Sequence, residues 1–304
     1  MKKVIKDIAA STRARLLNIA RSENIDFDFL LLRFFQERFL YRLSISDFSQ
    51  YFILKGGLLL VCLNIPKSRP TIDIDLLAKS IKNNPTEIKK AISSIAQISF
   101  DDGVIFAHSS ITTEQIKKDA DYTGIRIKMD ASLGQAKKKI QLDIGFGDVI
   151  IPGPLNIEFP TLLDNSNPKI AVYSIESVIA EKFEAMVKLA MINSRMKDFY
   201  DIYSLSFSQI FKSNSLKKAI KSAFLRRKTI FPDNPIIFRT EFHHDKEKQI
   251  QWNAFIRKTR LIEVDKNFNQ VMDRITIFLK PIVNSIKGKT NDDKIWDINN
   301  GIWK

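Results

Sequence analysis

Asp73 and Asp75 are the residues of this chain best placed to do chemistry, in the run Arg69-Pro70-Thr71-Ile72-Asp73-Ile74-Asp75-Leu76-Leu77. Side chains alternate across a strand, so both carboxylates leave one face while Ile72, Ile74 and Leu76 leave the other. Neighbouring carboxylates repel each other unless a cation sits between them. Lys55-Gly56-Gly57 precedes them within a hydrophobic run, and glycine lets backbone come close to a phosphate. A divalent metal on paired carboxylates, with glycine backbone beside it, is the chemistry of nucleotidyl transfer.

Such chemistry uses a third carboxylate from a neighbouring strand, which helps activate the attacking hydroxyl. Asp143 fits, because it faces away from the apolar row Ile140, Leu142 and Ile144 of its own strand. Asp130 and Asp148 are its rivals; Asp148 lies past Gly147, in an expected loop. Lys182 falls in the helical apolar stripe of Ile175, Val178, Ile179, Met186 and Leu189. A lysine there must bury or snorkel, and a buried ammonium needs an anion. Nucleotide phosphates would serve; Glu181 or Glu184 is the plainer partner. Asp198 and Asp201 share one side of a helix turn. From their positions alone they read equally as a helix N-terminal charge and a solvated neighbour. Arg69 could reach a triphosphate or lie on the surface. Arg126 and Lys128 would share the open face of the sheet. The basic segment carrying Lys217, Lys218, Lys221, Arg226, Arg227 and Lys228 suits a nucleic-acid backbone or a plain solvated face. His243-His244-Asp245 reads as a surface loop, and Trp252 as helical core.

The elements that must position these residues follow from periodicity. Residues 11–43 read as two helices broken at 24–28, and 52–63 as a strand turning tightly at its glycines. Asn84-Pro85-Thr86-Glu87 starts a helix that continues through residue 98. Strands are expected at 104–110, 122–133 and 139–146, with 111–121 a polar loop or short helix. Pro152, Pro154, Pro160 and Pro168 mark a linker-like passage that can hold short strands such as 155–159. Helices are expected at 175–193, 197–206, 216–228, 246–259 and 264–280, followed by a polar, loosely ordered tail. The expected organisation is a sheet domain with N-terminal helices over 1–150 and a mainly helical domain over 151–304 that contributes Lys182 and Asp198.

The 304 residues, 44% hydrophobic and 27% charged, suit one large or two modest globular domains. Cys62 is the single cysteine, so an internal disulfide is excluded and a reducing cytoplasm is expected. No stretch approaches the roughly 20 apolar residues of a membrane helix, and no signal peptide is read. A net charge of +14 favours polyanionic partners, nucleic acid first.

The ordered motifs resemble a known family. Gly56-Gly57, a spacer and Thr71-Ile72-Asp73-Ile74-Asp75-Leu76 look like the signature of polymerase-β-type nucleotidyltransferases. The flanking Arg38-Phe39-Leu40-Tyr41-Arg42-Leu43-Ser44 and Phe52 to Leu60, with Ala180-Glu181-Lys182-Phe183 and Lys197-Asp198-Phe199-Tyr200-Asp201-Ile202-Tyr203, resemble the AbiEii/AbiGii toxins of abortive-infection, type IV toxin–antitoxin systems. The likeness runs from about Ser11 to Pro281. The wider superfamily has Gly-Ser where Gly56-Gly57 stands; toxin-family members commonly share the Gly-Gly. The resemblance implies an α+β fold with a polymerase-β-like mixed sheet, an N-terminal helical segment and a C-terminal helical domain. It implies two magnesium ions on Asp73, Asp75 and Asp143, about 4 Å apart, and a nucleoside triphosphate contacted by Lys55, Gly56, Gly57, Arg69 and Thr71. It marks Lys182 as a catalytic lysine and Asp198 as an essential aspartate, with Asp201 next in line. The implied activity is transfer of a nucleotide to RNA, at the 3′ end of tRNA, by a monomeric toxin with a cognate antitoxin. Transfer to a protein or small molecule, or an inactive RNA-binding module, are the alternatives.

Overall fold

The computed structural model describes residues 7–63, 69–119, 122–259, 261, 267–288 and 293–304, with backbone only at 117–119, 122 and 123. The chain divides into two compact units. The first comprises residues 1–63, 70–147 and 155–172; the second comprises 64–69, 148–154 and 173–304.

The first unit begins with α1 (Ile8–Ser22) and α2 (Phe27–Ser44). Asp7 and Asp26 cap them, accepting hydrogen bonds from Ala10 N and Phe29 N. Next come β1 (Phe52–Lys55), α3 (Gly56–Cys62), β2 (Asp73–Ala78) and α4 (Pro85–Ala96). Asn84 caps α4 and Pro85 opens it. Then follow β3 (Val104–Asp119), β4 (Tyr122–Leu133), β5 (Ala136–Phe146), β6 (Leu155–Glu158) and β7 (Lys169–Val172). The strands form one mixed sheet in the order β3-β4-β5-β2-β1-β7-β6. Its inner pair, β2 and β5, is parallel, and β1 joins β2 antiparallel and β7 parallel. One face is apolar: Ile74, Leu76, Ile125, Ile127, Met129, Leu142 and Ile144 are fully buried. Helix α2 packs against β5, β7 and α4.

The expected loop at 111–121 is instead strand as far as Asp119; residues 120 and 121 lie outside the described residues. Its polar composition misleads because the ladder to β4, from Thr112↔Lys128 to Ile116↔Gly124, holds it rather than burial. At the register shift after Ala107, the Ser110 hydroxyl donates to Ala107 O and accepts from Asp130 N, satisfying groups the ladder leaves open. The proline-rich passage holds β6, as expected for a short strand there, and β7 follows directly after it.

The second unit contains α5 (Ile175–Leu189), α6 (Met196–Ser208), α7 (Ser213–Arg226), the single turn α8 (Thr240–His243), α9 (Lys246–Thr259) and α10 (Phe268–Ile286). The expected start of the last helix, at 264, lies outside the described residues. A chain of aromatic contacts forms the core: Phe183 with Phe224 and Phe238, Phe199 with Phe242 and Phe268, and Trp252 with Phe268. The polar tail is more ordered than expected. Strands β8 (Trp296–Asp297) and β9 (Ile302–Trp303) form a hairpin. Trp296 is buried and its indole donates to Ser206 O; Trp303 stacks on Phe278 and donates to Phe278 O. Two tryptophans thus anchor a segment whose average composition is polar.

Helix α2 is unusual in burying polar side chains. Arg33, Gln36, Glu37, Arg38 and Arg42 are all inside. Arg42 forks onto Asp102 at 2.7 and 3.0 Å, and Glu37 accepts from Leu162 N. Burial pushes the Glu37 carboxyl up to about 7, against the pull of Arg33 and Arg38. Folded Glu37 therefore keeps its proton over a range where the unfolded side chain has lost it. Its contribution is greatest below the ordinary glutamate range and fades as pH rises to about 7. Denaturant midpoints measured at about pH 5 and about pH 8 should show this decline in the wild type and a flatter response in Glu37→Gln.

Candidate active site

Register builds the first half of the site. Lys55 is the antiparallel partner of Asp75 across β1 and β2, and Asp75 is the parallel partner of Asp143 across β2 and β5. Asp73 pairs with Gln141, and Asp143 with Arg126 across β5 and β4. Directly paired residues share a face, so Lys55, Asp73, Asp75, Gln141, Asp143, Arg126 and Lys128 all lie opposite the helix-covered apolar face.

Gly56 turns β1 into α3 with φ +70°, a left-handed conformation. A Cβ there would stand 2.0 Å from Asp75 Oδ2 and 2.6 Å from its Cγ. The Asp75 carboxylate thus occupies the space any side chain at 56 would need. Gly57, the second residue of α3, is buried. Lys55 is buried as well. Thr71 lends its hydroxyl to Asp73 O at 3.4 Å, on the lead-in to β2. The same lead-in is gripped from α2, where Gln36 Nε2 donates to Ile72 O at 2.8 Å.

Asp73 and Asp75 are half-buried, while Asp143 is inside. Both Asp143 oxygens accept from Arg126, each at 2.8 Å, and Gln141 Nε2 adds a third bond at 3.2 Å. That hydrogen bonding to Asp143, with the charge of Asp73 adding, holds the Arg126 guanidinium above its ordinary range. Among the described residues no three His, Cys, Asp or Glu side chains are already gathered around an ion position. The donor chemistry nevertheless suits a hard cation such as magnesium, since the face presents carboxylate oxygens at adjacent ladder positions. Of the rival carboxylates, Asp130 pairs with Lys139 at 3.1 Å, and Asp148 accepts from the Tyr173 hydroxyl.

The second group of expected residues lies in the helical unit. Lys182 on α5 places its Nζ 2.9 Å from Asp198 Oδ1 and 2.7 Å from Asp201 Oδ2, both on α6. Arg69 forks onto Asp201 with two bonds of 2.9 Å, so its guanidinium is committed to that carboxylate. Arg195 Nε stands 2.7 Å from Asp198 Oδ2. The plainer partners of Lys182 are engaged elsewhere: Arg227 pairs with Glu181 at 3.1 Å and Glu184 at 2.8 Å. Burial alone pulls the Lys182 ammonium down, but Asp198 and Asp201 outweigh it and hold it above the ordinary lysine range. Burial pushes Asp198 up, but Lys182 and Arg195 outweigh it and hold the carboxyl below the usual range.

Sequence reasoning missed Gln36 and Arg195, and it set Arg126 on the open face without pairing it to Asp143. The Arg195-x-x-Asp198 spacing was the available signal for the second. Gln36 carried none, because its bond spans 36 residues. Among the described residues the histidines join no metal-ligand cluster: His243 Nε2 meets Ile237 O, and His244 Nδ1 meets Asn269.

The fold is shared with solved nucleotidyltransferase structures. A candidate nucleotidyltransferase from Helicobacter pylori superposes with a TM-score of 0.51 at 14% identity, over 88% of this chain and 100% of that one. JHP933 from Helicobacter pylori gives 0.50 at 14% identity, over 86% and 94%. No curated protein matches the chain. The family profile of the nucleotidyl transferase AbiEii toxins of type IV toxin–antitoxin systems matches residues 38–274, and the chain belongs to that family.

Two outcomes follow from the geometry. Gly56→Ala should cost at least about 1–2 kcal/mol in denaturant unfolding, from left-handed strain with displacement of Asp75 added. Gly57→Ala, at a helical position, should cost less. In the Lys182 network the depressed Asp198 contributes stability above the ordinary carboxylate range and loses it as pH falls through its lowered value. The raised Lys182 contributes below the ordinary lysine range and loses that as pH rises through its raised value. Its contribution should therefore be flat through neutrality. Lys182→Ala leaves Asp198 with Arg195 alone and Asp201 with Arg69 alone, and should cost up to about 3 kcal/mol, with recovery of stability as pH is lowered into the carboxylate range.

Proposed function

We propose that this protein transfers a nucleotide from a nucleoside triphosphate onto RNA, at the 3′ end of tRNA, and thereby blocks translation and growth. The observation that carries the reading is the in-register Asp75–Asp143 pair on one face with Asp73, with Asp75 set against the backbone of Gly56. The basic chain, at +14, favours an RNA acceptor over a small one. No described helix is long and apolar enough to cross a membrane. As a toxin-family member the protein acts opposite a cognate antitoxin.

In the proposed reaction an acceptor hydroxyl oxygen forms a bond to the α-phosphorus, the bond from that phosphorus to the β-bridging oxygen breaks, and pyrophosphate leaves. Asp73 and Asp75 would hold magnesium, with Asp143 completing the set. When bound, the metal supplies charge neutralisation at the phosphates and a more acidic acceptor hydroxyl. Asp143 receives the hydroxyl proton. Gly56 and Gly57 leave room for phosphate oxygens close to the backbone. Lys182 takes the part of the family's lysine, and Asp198 orients its ammonium through the 2.9 Å contact. Arg69 holds Asp201, which also contacts Lys182.

The test is a transfer assay with magnesium, total tRNA and each of the four α-labelled nucleoside triphosphates in turn. Label on tRNA with one nucleotide, absent with Asp73→Ala, is the expected result. Magnesium-dependent triphosphate binding without label on any RNA would move the acceptor to a protein or small molecule. Neither binding nor label would overturn the reading.

A further inference from the structure

We propose that Arg126 is the resident counter-cation of the third carboxylate, holding Asp143 until a metal ion and a triphosphate arrive, then exchanging Asp143 for phosphate oxygens. This inference rests on the nucleotidyl-transfer reading and adds a control step to the same site.

The argument begins with occupancy. An ionised carboxylate offers about four lone-pair directions. Three are in use on Asp143: two by the Arg126 fork at 2.8 Å each and one by Gln141 at 3.2 Å. One direction remains, so a cation that takes more than one lone pair of Asp143 must displace Arg126. Guanidinium does not lose its proton in proteins, so displacement means movement rather than neutralisation. The exposures say which partner moves. The Asp143 side chain is 6% exposed and sits on the sheet, whereas that of Arg126 is 29% exposed. The arginine has a path to solvent, and the aspartate does not.

Electrostatics supply the direction of exchange. Asp143 is an in-register neighbour of Asp75, with Asp73 one pair further along the same face. Three carboxylates so close need compensating charge. A divalent ion brings more than Arg126 provides, and a triphosphate arriving with it offers the displaced fork a new bidentate acceptor. Lys128, two residues along the same face, is held more loosely, 3.6 Å from Glu114. Arg126 thus keeps Asp143 paired and aimed while substrate is absent.

The experiment measures two affinities whose changes should have opposite sign. Free Mn2+ is counted by electron paramagnetic resonance with protein and Mn2+ alone. Binding of magnesium tripolyphosphate is followed by calorimetry. Arg126→Ala should bind Mn2+ about tenfold tighter than wild type, because a like charge has been removed, and magnesium tripolyphosphate more weakly. Arg126→Lys, which keeps the charge without the fork, should fall between. Adding Asp143→Asn to Arg126→Ala should abolish the Mn2+ gain. Arg126→Gln carries the same expected signs should the alanine variant fail to fold. Wild-type Mn2+ binding that Asp73→Asn weakens, but that no Arg126 variant strengthens, overturns the exchange and leaves the transfer reading standing. Mn2+ binding that is absent, or indifferent to Asp73→Asn, overturns both.

Discussion

The carboxylate of Asp75 and the backbone of Gly56 occupy adjoining space, with 2.0 Å between Oδ2 and the place a Cβ would take. Much of the sheet unit is arranged around that approach. Strand β1 must deliver Lys55 opposite Asp75, and the chain must then leave the sheet at once through a left-handed residue. Strand β5 must run parallel to β2, so that Asp143 arrives beside Asp75 rather than one residue away on the opposite face. A slip of one residue in either ladder would turn the carboxylates into the apolar layer and bring leucine or isoleucine to the open face.

Charge in this protein is held in close pairs around the residues that matter. Asp143 has Arg126; Asp198 has Lys182 and Arg195; Asp201 has Lys182 and Arg69. Each pairing sets a cation against a carboxylate that burial takes out of water. The net charge of +14 is consequently a property of the remaining surface, where a polyanion would meet it.

Helix α2 joins scaffold to site by burying polar side chains. Gln36 holds the residue before Asp73, Arg33 donates to Pro160 O, Arg38 donates to Ser166 O and Glu37 accepts from Leu162 N. One helix therefore secures both the entry to the aspartate strand and the loop between the last two strands of the sheet. Such bonds are costly to lose, because each partner would be left desolvated.

The carboxylate face was legible in the amino-acid order, because alternation is local: Asp73 and Asp75 share a face in any strand, and Ile140, Leu142 and Ile144 assign Asp143 to the opposite side of its own. The family, the helices from capping residues and apolar stripes, and the placing of Trp252 in the core were readable for the same reason. Tertiary structure alone decided the partners. Lys182 reaches 16 residues to Asp198 rather than turning to Glu181 or Glu184 on its own helix. Arg69 reaches 132 residues to Asp201, and Gln36 reaches 36 to Ile72. Residues 111–119 became strand, and the tail acquired a hairpin, because a ladder and two hydrogen-bonded indoles supplied what local composition lacked. A side chain's type and face are fixed by its neighbours along the chain, but its counter-charge is fixed by which distant element the sheet and the aromatic core bring to it.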